Sequence, residues 1–253
     1  MTSENAGRRP TAPRADAAVR RPARHHLSAA SRSRLRNLIG QIGNVVADVP
    51  RFMMAPLYRS RHLRWGSTDD EIVSAMPGDA ILPSAQFVST RAITINAEPV
   101  AVWPWLVQVG CGRGGFYSND LLDNLARPSA TTIVADLQHL EVGQWIPMSP
   151  SSTPTEKTAF RVDSFDVASW MLWAKPDGTW SWRLTPTDSG GTRLVTRIHA
   201  VYDWSHPLTA ILGVVLMEFG DFAMMRRMLR GIKTRAESVV DADATPLADV
   251  GHA

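Results

Sequence analysis

Cysteine is nearly missing: Cys111 is the single one in 253 residues. An internal disulfide is therefore excluded, and a cytoplasmic setting is the simpler expectation. Also missing is any His, Cys and acid cluster with metal-ligand spacing, so neither a metal nor another cofactor is expected. No G-x-S-x-G or comparable nucleophile motif occurs. Arg8-Arg9 has no apolar run of signal-peptide length after it, so a secretion signal is not expected. Residues 208–217 are apolar, but Glu218 and Asp221 end the run before it is long enough for a membrane span.

What remains is an ordinary globular composition, 44% hydrophobic and 20% charged. The net charge of +3 hides an asymmetry. Residues 1–36 carry nine arginines against Glu4 and Asp16, or +7, which leaves the rest of the chain at −4. The basic character belongs to the tail. Residues 1–34, rich in Arg, Ala, Pro and Ser, read as a disordered tail, and nucleic-acid binding is not the expected role. Residues 35–86 read as a helical extension and loop. Within 35–63, Leu35, Leu38, Ile39, Ile42, Val45, Val46 and Val49 stand at helical spacing, with Pro50 and Pro56 interrupting them. Two readings follow: a helix packed on the outside of the domain, which is preferred, or an amphipathic helix making peripheral membrane contact. Thr68 and Glu71 form a capping-box pair that should open a short helix ending near Ala75.

Residues 87–239 read as the folded domain and 240–253 as a second disordered tail. Phe87 to Ile95 is strand-like. Asn96-Ala97-Glu98-Pro99 should open a helix capped by Asn96, with Val102, Trp103, Leu106 and Val109 on one face. Ser118 to Leu125 reads as a short second helix. Strands are expected around 145, over 158–165, 168–174 and 179–184, and from 192 onward. Pro176-Asp177-Gly178 and Ser189-Gly190-Gly191 supply hairpin turns. Six of the nine tryptophans, Trp145, Trp170, Trp173, Trp180, Trp182 and Trp204, fall in this strand-rich half. Aromatics in that number fill a core or line an apolar pocket. In the last strand Leu194, Thr196, Ile198, Ala200 and Tyr202 should face inward, and Arg193, Arg197 and His199 toward solvent. A long helix should start at His206-Pro207 and run to about Val239. Its apolar stripe reads Leu208, Ile211, Leu212, Val215, Phe219, Phe222, Met225, Leu229, Ile232 and Ala236.

The segment TRAITINAEPVAVWPWLVQVGCGRGGFYSND resembles the opening strand and first helix of the START/polyketide-cyclase superfamily, SRPBCC. More narrowly, VWPWL, GRGGFYS and a long C-terminal helix resemble an uncharacterised bacterial subgroup of it, over roughly Trp65 to Val239. The resemblance implies an α+β helix-grip fold: a curved antiparallel sheet around a long C-terminal helix, two short helices after the first strand, and a cavity between sheet and helix. It implies no single reaction, because that superfamily holds carriers, receptors and enzymes.

Gly110-Cys111-Gly112-Arg113-Gly114-Gly115 also fits the letters of G-x-G-x-x-G, with Asp136 downstream. That dinucleotide fingerprint needs a strand before it and a long helix after it, whereas a capped helix precedes this one. A sharp turn at the cavity mouth is the preferred reading. Arg113 could bind an anionic group or clamp an acid such as Asp120. Cys111 reads as a small packed residue. The expected function is binding of a small, mainly apolar ligand (lipid, polyketide or aromatic). A polyketide cyclase/dehydratase-type enzyme and a membrane-associated lipid carrier are the alternatives. Ligand contacts are expected from Trp103, Leu106, Arg113, Tyr117, Trp180, Trp182, Ile198, Tyr202, Val215, Glu218, Phe219 and Phe222. Catalytic candidates are Glu218, Arg113, Tyr117 and Asp120. Glu218 falls within the apolar stripe and so needs a partner, for which Arg113 is the expected one. Oligomeric state is not written in these patterns.

Overall fold

The computed structural model describes residues 29–149 and 153–244. The expected tails at 1–34 and 240–253 fall largely outside that range. Helix α1 (Ala29–Met54) nevertheless starts before the expected boundary, and the last helix continues to Ala244. A 3-10 turn (Ala55–Tyr58) follows α1 and leads to α2 (Arg59–Leu63).

Helix α3 (Asp69–Val73) opens with the expected capping box. Thr68 Oγ1 accepts from the Glu71 amide and Glu71 accepts from the Thr68 amide. Two amides at the helix start are thereby satisfied reciprocally. Thr68→Ala should cost about 1 kcal/mol, a fall in melting temperature of about 2–4 °C readable by thermal denaturation.

Strand β1 (Phe87–Ile95) leads to α4 (Pro99–Val107). Its N-cap is Glu98 rather than Asn96, because Pro99 fixes the first helical position and the Asn96 amide is taken by Glu237 at 2.7 Å. After the short α5 (Asp120–Asp123) come β2 (Trp145–Pro147), β3 (Ala159–Asp166), β4 (Trp170–Lys175), β5 (Gly178–Pro186) and β6 (Thr192–Ala200). They form one open antiparallel sheet in the order β1-β6-β5-β4-β3-β2. Consecutive strands from β2 to β6 are neighbours, and β1 closes onto β6 with Phe87 opposite Ala200 and Ile95 opposite Thr192. The long C-terminal helix is α6 (Pro207–Val215), a π turn (Leu216–Gly220) and α7 (Asp221–Ala244) in succession. The fold is α+β, a helix-grip arrangement of sheet and long helix.

Strand alternation places Trp173, Trp180, Trp182 and Ile198 on the inner face, where Trp173 pairs across to Trp180 and Trp180 to Ile198. The three indoles meet at centroid distances of 5.0–5.8 Å. Met225, Met228, Leu229, Ile232 and Ala236 of α7 close the core over them.

The other face is not solvent. Arg197 and His199 are both buried, contrary to expectation. The segment between α2 and β1 lies across this face, and Arg197 anchors it by donating to the carbonyls of Glu71, Ile72 and Ser74 and to Asp79 at 2.6 Å. Met76 packs there against Ala92 and Val195. A polar outer stripe therefore serves to bind a second layer of backbone.

The helix stripe is corrected too. By length and composition Pro207–Val239 would pass for a membrane-crossing helix. Its second half is core, but Leu208, Ile211, Leu212 and Val215 are exposed. Residues 207–217 are apolar on every side, so periodicity could not tell the inner arc from the outer one. The inner arc carries Ala210 and Gly213, and a Cβ at Gly213 would sit 3.4 Å from the Tyr202 ring.

Candidate functional site

A cavity of about 200 Å³ lies under the π turn and the start of α7. Phe116 and Met148 wall one side, Trp180 forms the floor, and Met217, Met224, Met225 and Met228 hang from the helix. Thioethers on flexible stems make such a wall adaptable to irregular apolar shapes. Gly220 also lines it, and a Cβ placed there would meet nothing within 4 Å. The π turn that carries Met217 and Gly220 is a local feature that recurs at functional sites.

The polar groups at this cavity are few. Ser118, Asp123 and Asp221 reach it. Ser118 Oγ donates to Asp123 Oδ2 at 2.9 Å, and the Asn119 amide reaches the same oxygen at 3.3 Å. Asp123 Oδ1 is buried with no hydrogen-bond partner among the described residues. Burial pushes the Asp123 carboxyl up to about 6, against the lowering effect of the Ser118 hydrogen bond. Asp221 is held at 2.6 Å by Arg91, whose guanidinium is itself buried on the inner face of β1. The indole N–H groups of Trp173 and Trp182 and the hydroxyl of Tyr202 also lack partners among the described residues. Burial first, and then the nearby Glu218 charge, push Tyr202 up to about 12, so it remains a phenol.

The residues expected from sequence are placed as follows. Trp103, Leu106, Trp180, Trp182 and Ile198 belong to the main core cluster with Tyr202 packed against it, and of these Trp180 lines the cavity. Phe219 and Phe222 are half-buried, whereas Val215 is exposed. His62 stacks on Phe222 at 4.1 Å with the rings nearly parallel. Glu218 is partly buried and paired, but its partner is Arg59, bound through both carboxylate oxygens at 2.7 and 2.8 Å. Arg113 points elsewhere. It donates to the carbonyls of Val107 and Val109 at 3.0 and 3.2 Å, capping the end of α4. Burial lowers its pKa.

Tyr117 and Asp120 are also engaged structurally. The Tyr117 hydroxyl donates to the Trp105 carbonyl at 3.0 Å, and Arg235 lies over its ring. Asp120 receives both the amide and the hydroxyl of Ser129, which closes the loop after α5. The glycine run turns back on itself: Gly110 and Gly115 exchange amide-to-carbonyl bonds at 3.1 and 3.2 Å, with positive φ at both. A helix, not a strand, precedes it, so the dinucleotide reading is lost. Cys111 is buried, and that burial raises its thiol pKa. Sequence reasoning passed over Asp123. The available signal was an acid one turn beyond Ser118-Asn119, able to fold back on them.

A second, larger concavity of about 590 Å³ lies over the outer face between Arg59, Leu63, Ile72, Asp79, Thr90 and His199. It is an open groove, and the Arg197 guanidinium at its base is already occupied by backbone carbonyls. The methionine-walled cavity, with its mainly apolar lining, is therefore the better candidate for a small apolar ligand. No group of three metal-ligating side chains occurs among the described residues.

No family model matches the chain, and no curated protein matches it. Solved structures similar to it include the Polyketide_cyc-like protein Cgl2372 from Corynebacterium glutamicum, at 13% identity and TM-score 0.38, over 65% of this chain and 97% of that one. The Zhui aromatase/cyclase from Streptomyces sp. R1128 matches at 14% identity and TM-score 0.37, over 62% and 98%. Protein SSP2350 from Staphylococcus saprophyticus matches at 10% identity and TM-score 0.34, over 60% and 92%. With identity and structural similarity this low, neither ligand nor chemistry transfers from them.

Proposed function

We propose that this protein binds a small, mainly apolar molecule in the cavity between the C-terminal helix and the sheet. The observation that carries the reading is the cavity wall itself: four helix methionines facing Phe116, Met148 and Trp180. Apolar groups dominate, and a small number of polar groups would fix orientation, the usual make-up of a small-molecule site. Native mass spectrometry of the full chain tests it directly. An apolar small molecule should be released on collisional activation of the purified protein, or be taken up from a panel of acyl and aromatic compounds. A protein that stays at its apo mass throughout would count against the reading.

A second reading, an enzyme of the cyclase/dehydratase type, is favoured by Asp123. Its carboxyl lines the cavity with one oxygen unpartnered among the described residues and a pKa near the working range of a general acid or base. The same group predicts a pH effect on stability. Its folded pKa lies above the ordinary carboxyl value, so the folded state holds the proton more tightly than the unfolded chain. The resulting stabilisation is full at low pH and is lost as pH rises through about 6. Asp123→Asn should remove that loss and flatten the melting temperature between about pH 4 and pH 7. An unchanged slope in Asp123→Asn would show that another group titrates there.

A further inference from the structure

The apolar stripe of α1 faces away from the protein. Ile39, Ile42, Val46 and Met53 are 47–70% exposed, while the side turned to the domain carries Gln41, Val45 and Asp48. Asp48 is buried, paired to Arg227 of α7. The helix is thus fastened by its polar side. Beside it, α6 leaves Leu208, Ile211 and Leu212 exposed by 52–84%. The two elements adjoin: α1 and the 3-10 turn pack against the π turn, Arg227 also donates to the Asn44 carbonyl, and Arg59 bonds Glu218. Leu57 of the 3-10 turn is 73% exposed as well. Water is a poor solvent for so much exposed apolar surface on adjoining elements.

Charge selects what covers it. Residues 29–63 hold six arginines and one carboxylate, the buried Asp48, and residues 207–217 hold no charge at all. Among the described side chains, Arg36 and Arg61 are exposed here and Arg59 is held by Glu218. An apolar face flanked by such cations, in segments whose one carboxylate is buried, matches an anionic lipid surface. The depth also fits. Ten residues of exposed helix rise about 15 Å, half the hydrocarbon thickness of a bilayer, which permits partial insertion and not crossing.

We propose that α1, the 3-10 turn and α6 together form a docking surface for anionic lipid bilayers. The sequence had offered residues 35–63 for such contact. The structure adds α6, which ends at the π turn bordering the cavity.

Flotation of the full chain with vesicles tests this. The protein should float with vesicles of phosphatidylcholine mixed with phosphatidylglycerol, and bind those of phosphatidylcholine alone at least tenfold more weakly. The doubly substituted Ile39→Glu, Leu212→Glu protein should lose anionic binding at least tenfold with its melting temperature unchanged, since both positions are exposed. Arg61→Gln should weaken binding about fivefold, the worth of one arginine near an anionic surface. Equal binding by the double variant, or no flotation of the wild type, would overturn the proposal. So would a concentration-dependent dimer that the double variant abolishes, because a second copy would then be what covers the face. Gly220→Leu, which narrows the cavity, should leave flotation unchanged, so that failure of ligand binding and failure of docking can be told apart.

Discussion

Replacing Asp221 by Leu is expected to destabilise the protein by about 3–5 kcal/mol, because it leaves Arg91 charged and buried without its partner. The Arg91 side chain is 1% exposed and Asp221 10%. Beyond that pair, Arg91 Nε donates to the His62 carbonyl at 2.7 Å, and its guanidinium lies 5.8 Å from the Phe222 ring. Nothing among these contacts neutralises a buried cation. Arg91→Met should be comparably damaging through the stranded carboxylate. The double variant Arg91→Met, Asp221→Leu should recover most of the loss, since an apolar pair of similar volume needs no desolvation of charge. Urea denaturation of the four proteins gives the coupling energy. If the two single losses simply add in the double variant, the pair is not a closed unit and another charge shares the burden.

The other large effect lies in the tryptophan cluster. Trp182 is fully buried, between Trp173 at 5.8 Å and Trp180 at 5.0 Å. Trp182→Ala removes an indole from close packing on two sides and should cost about 3–5 kcal/mol. Each kcal/mol lowers the melting temperature of a domain this size by about 2–4 °C, so a fall of around 10 °C or more is expected by calorimetry. A fall of only a few degrees would mean that the cluster already borders empty space.

Much of this was readable from the chain. Residues 87–95 form the expected strand, Thr68 and Glu71 form the capping box, and the Pro176–Gly178 turn joins two strands. These are local signals: alternation, caps and turn residues. What escaped is what depends on distant partners. Alternation put Arg197 and His199 opposite Ile198, but it cannot say that residues 71–79 will lie over them. Helical geometry set Glu218 within the apolar side, yet its partner Arg59 is 159 residues away. Arg113 sits close in sequence to the two carbonyls it caps, an easier contact than a reach across the fold. Asp123 went unnoticed because the cavity that it lines is walled by Met224, Met225 and Met228 of α7, far away in sequence.

The measurement that bears most directly on the cavity is a ligand titration of wild type and Gly220→Leu, followed by tryptophan fluorescence with a panel of acyl and aromatic compounds. Trp180 forms part of the wall, and a Cβ at Gly220 meets no neighbour, so leucine there should fill cavity space without disturbing the helix. Wild type should show a saturable fluorescence change with at least one compound, and Gly220→Leu should bind that compound at least tenfold more weakly, about 1.4 kcal/mol, with an unaltered melting temperature. No response from wild type across the panel, or equal affinity in the two proteins, would contradict a ligand site beneath the C-terminal helix.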